Sequence, residues 1–200
     1  MDGTLLDLHF DNYFWCEFLP RHYAEVNQMD LTQVHQEVFS RYHQHRGTLK
    51  WYCVDHWSQQ LNLNLAELKQ QHQDRIRWRP HAEAFLQWLQ PQCPLYLVTN
   101  AHRSSLDIKC AMTGLDQYFT HVISSHDFQA PKESLAFWQA LQTQYSFDPA
   151  TSLFIDDNCD ILTTAQRFGL GHLYSIDQPD SQVAPRQRLP FPTLDFSQYV

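Results

Sequence analysis

The residues able to do chemistry in this chain stand at four stations. These are Asp2-Gly3-Thr4 at the start, Val98-Thr99-Asn100, Pro131-Lys132-Glu133, and Phe154-Ile155-Asp156-Asp157-Asn158. Thr99 follows an apolar run, so its hydroxyl is expected at the carboxyl end of a strand, where it can donate to a phosphoryl oxygen. Asn100 can assist through its side chain or backbone. Lys132, just ahead of a helical pattern, can neutralise charge on a phosphoryl group and its attacker. Asp156 and Asp157 form an acidic pair directly after an apolar strand, a costly arrangement unless water or a cation compensates it. A small set of oxygen donors suits Mg2+, which keeps several waters and bridges to phosphate. Taken singly, a strand-ending threonine is mostly structural and a lysine mostly solvated. The three later stations follow in order, each expected at a strand end, and together suit phosphate chemistry.

Positioning these groups requires a frame, and the apolar pattern supplies it. From about Pro80 onward, short apolar runs alternate with helical spacing. Leu95–Val98, His121–Ser124, Leu153–Ile155 and His172–Tyr174 read as strands. Ala82 to Leu89, Leu106 to Thr113, Leu135 to Tyr145 and Ile161 to Phe168 read as helices, two of them ended by Gly114 and Gly169. This alternation predicts an α/β fold: βαβ units in a parallel sheet with helices on both faces and the ligand at the strands' carboxyl ends. Residues 9–79 lack the alternation. Leu31, Val34, Val38 and Tyr42 keep helical spacing, as do Leu61, Leu65 and Leu68, with Asn64 and Glu67 placed as a capping pair. The expected organisation is a core from residues 1–8 and 80–200, with 9–79 as an all-helical insert. The proline-bearing tail from Pro179 is expected to be irregular.

Composition bounds the partners. Two hundred residues, 43% of them hydrophobic, fit one core domain with an insert. A formal net charge of -8 argues against a nucleic-acid surface. No run of about 18 apolar residues predicts a membrane span, and no basic-then-apolar leader is present. Cys16, Cys53, Cys93, Cys110 and Cys159 are odd in number and form no C-x-x-C pair, which predicts reduced thiols and a cytoplasmic location. The 12 histidines are scattered without a metal-binding spacing, so no histidine-built zinc site is expected.

The four stations together resemble the haloacid dehalogenase-like (HAD) phosphohydrolases, whose first signature is Asp-x-Asp-Gly-Thr. The resemblance implies a Rossmann-like core with an inserted helical cap, a Mg2+ cofactor and an aspartyl-phosphate intermediate. It assigns Asp2 the acid/base role and a backbone carbonyl to the metal. Thr99, Asn100 and Lys132 take the phosphate, and Asp156 and Asp157 the metal. Gly3 allows the tight turn after the strand. Within the insert, the segments Leu6 to Trp15 and Leu49 to Trp57 resemble the cap of the bacterial GMP/IMP nucleotidases. That implies hydrolysis of purine nucleoside 5′-monophosphates, with aromatic residues stacking on the base. The expected substrate-side residues are Asp11, Asn12, Trp15, Lys50, Trp51 and Asp55. The alternative for Phe14, Trp15, Trp51 and Trp57 is that they form the insert's own core. Arg75, Arg77 and Arg79 are weaker candidates to face a phosphate.

The family pattern also sets an expectation about the chain's beginning. Met1 holds the x position of the signature, so the nucleophilic Asp would precede it, at the end of a first core strand absent from this chain. The expectation is an upstream apolar segment ending in Asp, and no turnover by the 200 residues alone. The remaining readings are a phosphatase for another small ester, such as a sugar phosphate or phosphoglycolate, or a non-catalytic remnant that binds phosphate or nucleotide. The expected partner is a small-molecule substrate, acted on by a monomer or homodimer.

Overall fold

The fold begins with a tight reversal. In the computed structural model, which describes residues 1–200, the amides of Leu5 and Leu6 donate to the Met1 carbonyl at 2.8 and 3.1 Å, and Gly3 N–H donates to Leu6 O at 2.8 Å. Gly3 sits at φ +71°, and a Cβ there would lie 2.6 Å from Asp157 Cγ. A side chain is therefore excluded twice, by backbone strain and by the acidic pair it would strike. The chain leaving this turn pairs with the chain returning at 77–79. Leu6 and Trp78 form an antiparallel bridge, Asp7 N–H donates to Arg77 O at 2.9 Å, and Arg79 N–H donates to Leu5 O at 2.8 Å.

Between these two connections the chain is helical. It forms α1 (His9–Tyr13), a π-helical turn (Phe14–Phe18), α2 (Leu19–Asn27), α3 (Leu31–His45), α4 (Leu49–Tyr52), α5 (Val54–Leu61) and α6 (Leu65–Gln71). Their starts follow ordinary capping chemistry. Asp30 accepts from Thr32 and Gln33 N–H, and Asn64 and Glu67 exchange bonds as the sequence predicts. Ten buried residues, among them Phe14, Val34, Val38, Tyr42, Trp57 and Leu65, form a separate apolar cluster. Trp57 and Phe14 are core residues of that cluster.

The rest alternates as expected: α7 (Ala82–Leu89), β1 (Tyr96–Thr99), α8 (Arg103–Thr113), β2 (His121–Ser124), α9 (Leu135–Gln144), β3 (Leu153–Asp156), α10 (Cys159–Phe168) and β4 (His172–Ser175). α8 and α10 end at Gly114 and Gly169 in the left-handed conformation. β1 pairs parallel with β2, and β3 parallel with β4. The four strands form two two-stranded sheets, with the break between the strands ending at Thr99 and Asp156, where the family resemblance places the first core strand. Ladder bonding requires neighbours about 4.8 Å apart. Instead an apolar cavity of about 490 Å3 lies against β1 and β3, lined by Met1, Leu5, Leu97, Val98, Phe154 and Ile155 among others. The tail after Ser175 is largely irregular and held by Leu194 and Phe196, both buried. No helix is long and apolar enough to cross a membrane.

Candidate active site

The carboxyl ends of β1 and β3 open into a cavity of about 560 Å3 facing the helical segment. The core contributes Asp2, Thr99, Asn100, Lys132, Asp156 and Asp157 to its lining, and the helical segment contributes Asp11, Asn12, Trp15 and Trp51. Ten of the twelve sequence-expected residues therefore line one cavity. Lys50 and Asp55 do not. Lys50 is exposed, and Asp55 lies outside the lining with its carboxylate 3.5 Å from His102 Nε2.

Lys132 is buried, with its ammonium 2.5 Å from Asp156 Oδ2 and 3.3 Å from the Val98 carbonyl. A buried lysine depends on such a carboxylate partner. The Asn100 side chain is already committed: Oδ1 accepts from Lys132 N–H at 2.9 Å, and Nδ2 donates to Glu133 at 2.8 Å. It orients Lys132 in place of offering its amide to phosphate. Tyr52 of α4 donates to the other Glu133 oxygen at 2.5 Å, linking the helical segment to this loop. Thr99 Oγ1 accepts from Ala101 N–H at 3.1 Å and keeps its own proton free to donate.

The acidic pair is asymmetric. Asp156 has both oxygens occupied, by Lys132 and by Asn158 N–H at 2.9 Å. The Asp157 carboxylate has no such partner. Burial, and then the charge of Asp156, push its pKa up to about 7. An under-compensated carboxylate beside a second carboxylate, with Asp2 in the same cavity, is a donor set that fits a hard divalent cation. Such a cation must displace the Asp157 proton below about pH 7. Mg2+ binding should accordingly be about tenfold weaker at pH 6 than at pH 8, measured by calorimetry. An affinity flat across that range would contradict this environment.

Two cations were not legible in the sequence. Lys109 of α8 and Lys69 of α6 are each 1% exposed. Lys109 Nζ lies 2.6 Å from Asp2 Oδ1 and 2.6 Å from Asp11 Oδ2, and Lys69 Nζ lies 2.9 Å from Asp11 Oδ1. Burial works against the charge of Lys109, but Asp11 and Asp2 outweigh it and raise its pKa. Burial likewise opposes the Asp11 charge, but Lys109 and Lys69 outweigh it and hold that carboxyl well below the usual range. Asp11 is therefore the hub of an ion network and has no oxygen spare to read a purine edge. Asn12 Nδ2 is similarly tied to Asp180 at 2.7 Å. The one sequence signal was Lys109 falling three residues after Leu106 on the face that packs inward. The arginines near the junction lie outside the cavity: Arg75 stacks 3.9 Å over Tyr13, Arg77 donates to Ile76 O, and Arg79 donates to Thr4 O and Gln178 O.

With this geometry in hand, comparison with known proteins is specific. A haloacid dehalogenase-like hydrolase family model matches residues 1–169. The GMP/IMP nucleotidase YrfG of Escherichia coli (strain K12) is 36% identical over 196 residues, covering 98% of this chain and 88% of that protein. The same figures hold for the Shigella flexneri protein of that name. Among solved structures, a HAD phosphatase from Thermococcus onnurineus superposes with a TM-score of 0.79 at 18% identity, covering 99% of this chain and 92% of that one. The HAD hydrolase YfnB from Bacillus subtilis, bound to magnesium, does so at 0.65 and 18% identity, covering 92% and 89%. These two likenesses speak to the fold, a Rossmann-like α/β core.

Proposed function

This chain belongs to the haloacid dehalogenase-like hydrolase family, and from that premise we propose that its site serves a Mg2+-dependent phosphomonoesterase for purine nucleoside 5′-monophosphates. The observation that carries this reading is one cavity lined by two unlike sets of residues. Thr99, Lys132, Asp156 and Asp157 suit a phosphate, and Trp15 and Trp51 suit a base. The 36% identity to proteins named GMP/IMP nucleotidase supports the choice of purine.

The attacking carboxylate belongs to the position immediately before Met1, whose amino group lies beside Lys132, Asp156 and Asp157. Attack on phosphorus expels the nucleoside 5′-oxygen, which takes a proton from Asp2. Asp2 then accepts a proton from the water that hydrolyses the aspartyl-phosphate. Lys109, bonded to Asp2, holds that carboxylate toward the cavity. Thr99 and Lys132 stabilise charge on the phosphoryl oxygens. Bound through Asp2, Asp156 and Asp157, Mg2+ would supply further charge compensation at the phosphate.

The test is kcat/KM across a mononucleotide panel, using a chain extended by an apolar strand ending in Asp before Met1. IMP and GMP should exceed CMP, UMP and simple sugar phosphates, since a purine covers an indole better than a pyrimidine does. Trp51→Ala should weaken IMP about tenfold or more, the value of one stacked base. A flat panel, or a sugar phosphate turned over better than IMP, would leave only the family-level hydrolase.

A further inference from the structure

Outside the catalytic groups, three potential metal ligands from distant segments meet at the junction of the helical segment and the core. Cys53 is the N-cap of α5, His102 precedes α8, and His126 follows β2. One ligand atom from each lies within 4.8 Å of the others. The His102 and His126 rings sit edge to face with centroids 4.9 Å apart. His126 Nε2 is buried without a hydrogen-bond partner, a cost that a buried polar atom bears only when something else compensates it.

The surroundings of the three groups are those of oriented ligands. Cys53 Sγ accepts the His56 N–H at 3.4 Å. His102 Nδ1 bonds Ser104 Oγ at 2.9 Å, which fixes the ring and leaves Nε2 facing the Asp55 carboxylate at 3.5 Å. Metal-bound histidine and thiolate groups ordinarily carry such outer bonds. One sulfur, two imidazole nitrogens and a carboxylate form a mixed donor set that suits Zn2+ and disfavours Mg2+.

We propose that Cys53, His102 and His126, with Asp55 as the fourth ligand, bind one Zn2+-class cation that staples the helical segment to the core. Tetrahedral Zn–N and Zn–S bonds place ligand atoms roughly 3.3–3.6 Å apart. The present spacing therefore requires the groups to close by about 1 Å, a movement that draws α5 toward the loops after β1 and β2. His102 also lines the catalytic cavity, and Tyr52, adjacent to Cys53, bonds Glu133 beside Lys132. The staple thus closes next to the residues that suit a phosphate without using any of the cavity's metal carboxylates.

The test uses the 200-residue chain and Co2+ as a spectroscopic stand-in for Zn2+. One equivalent should give visible bands of tetrahedral cobalt and a sulfur-to-cobalt charge-transfer band, both abolished by Zn2+ and unaffected by excess Mg2+. Cys53→Ser should remove the charge-transfer band. His126→Gln should weaken Co2+ affinity by about 100-fold or more, since even outer-layer partners are worth up to that much. Cys93→Ser should change neither. Circular dichroism checks that the variants fold; if one does not, the other and the parent spectrum still decide. No charge-transfer band in the parent, or its persistence in Cys53→Ser, overturns the proposal. So does unchanged affinity in a folded His126→Gln. None of these outcomes depends on phosphatase activity, so the site and the enzymatic reading fail separately.

Discussion

Replacing Lys109 by methionine should destabilise the chain by about 3–5 kcal/mol, the usual cost of removing one partner from a buried ion network. Lys109 alone bridges Asp2 to Asp11, and it is 1% exposed. Without it, Asp2 loses its cation and Asp11 keeps only Lys69. For a chain of this size the melting temperature should fall by about 6–20 °C. The Asp11–Lys109 pair within the network should be complete between roughly pH 4 and pH 10. Asp11 has a depressed pKa, so its contribution is present above the unfolded value of 3.8 and lost as pH falls through the folded one. Lys109 has a raised pKa, so its contribution is present below 10.5 and lost as pH rises through the folded value. Adding Asp11→Asn to Lys109→Met should cost much less than Asp11→Asn alone, because the charge it removes is already under-paired. A Lys109→Met chain within about 1 kcal/mol of the parent by denaturant titration would show that the network does not hold the helical segment to the core.

The second large effect concerns chemistry. In a chain carrying the preceding strand and Asp, Asp156→Asn should reduce kcat/KM for IMP by about a thousandfold or more. The change removes a charge that pairs with Lys132 and that would help hold Mg2+, and such groups act directly on transition-state charge. Asparagine keeps one oxygen, which can serve the Asn158 amide or Lys132 but not both, so the variant is also expected to lose stability and its fold is checked first. Circular dichroism establishes the fold, calorimetry the loss of Mg2+ affinity, and phosphate release the rate. A folded Asp156→Asn enzyme with near-parental turnover would remove Asp156 from the metal and phosphate machinery.

Features of period and punctuation were readable in the sequence. β2 lies on the expected residues, β1 is shifted by one residue at both ends, and β3 and β4 run one residue longer at their carboxyl ends. The reason is that apolar runs bounded by turn residues bury on both faces of a parallel sheet. Two of the chemical stations, Thr99-Asn100 and Asp156-Asp157, were legible because each abuts a strand end, whereas Lys132 lies in the loop before α9 and Asp2 in the opening turn. What was hidden depends on distance in space. Lys69 and Lys109 read as solvated charges in one dimension; only the fold shows Asp11 between them. Asp11 and Asn12 looked free to read a base, and their partners Lys109 and Asp180 lie about a hundred residues or more away. Asn100 looked like a phosphate ligand because the neighbour it orients, Lys132, arrives from another loop. Cys53, His102 and His126 defeat any search for ligand spacing because each comes from a different element. The division into two sheets came from the family resemblance, which puts the first core strand between β1 and β3, and not from alternation, which counts strands but does not say which of them touch.

The most direct test of the enzymatic account compares two chains, the 200 residues alone and the same residues preceded by an apolar strand ending in Asp. Inorganic phosphate released from IMP is followed with Mg2+ and again with EDTA. The account predicts release only from the extended chain, abolished by EDTA and by changing the added Asp to Asn. Turnover of IMP by the 200 residues at a rate comparable to the extended chain, or full activity after Asp→Asn, would contradict an aspartyl-phosphate formed at the position before Met1.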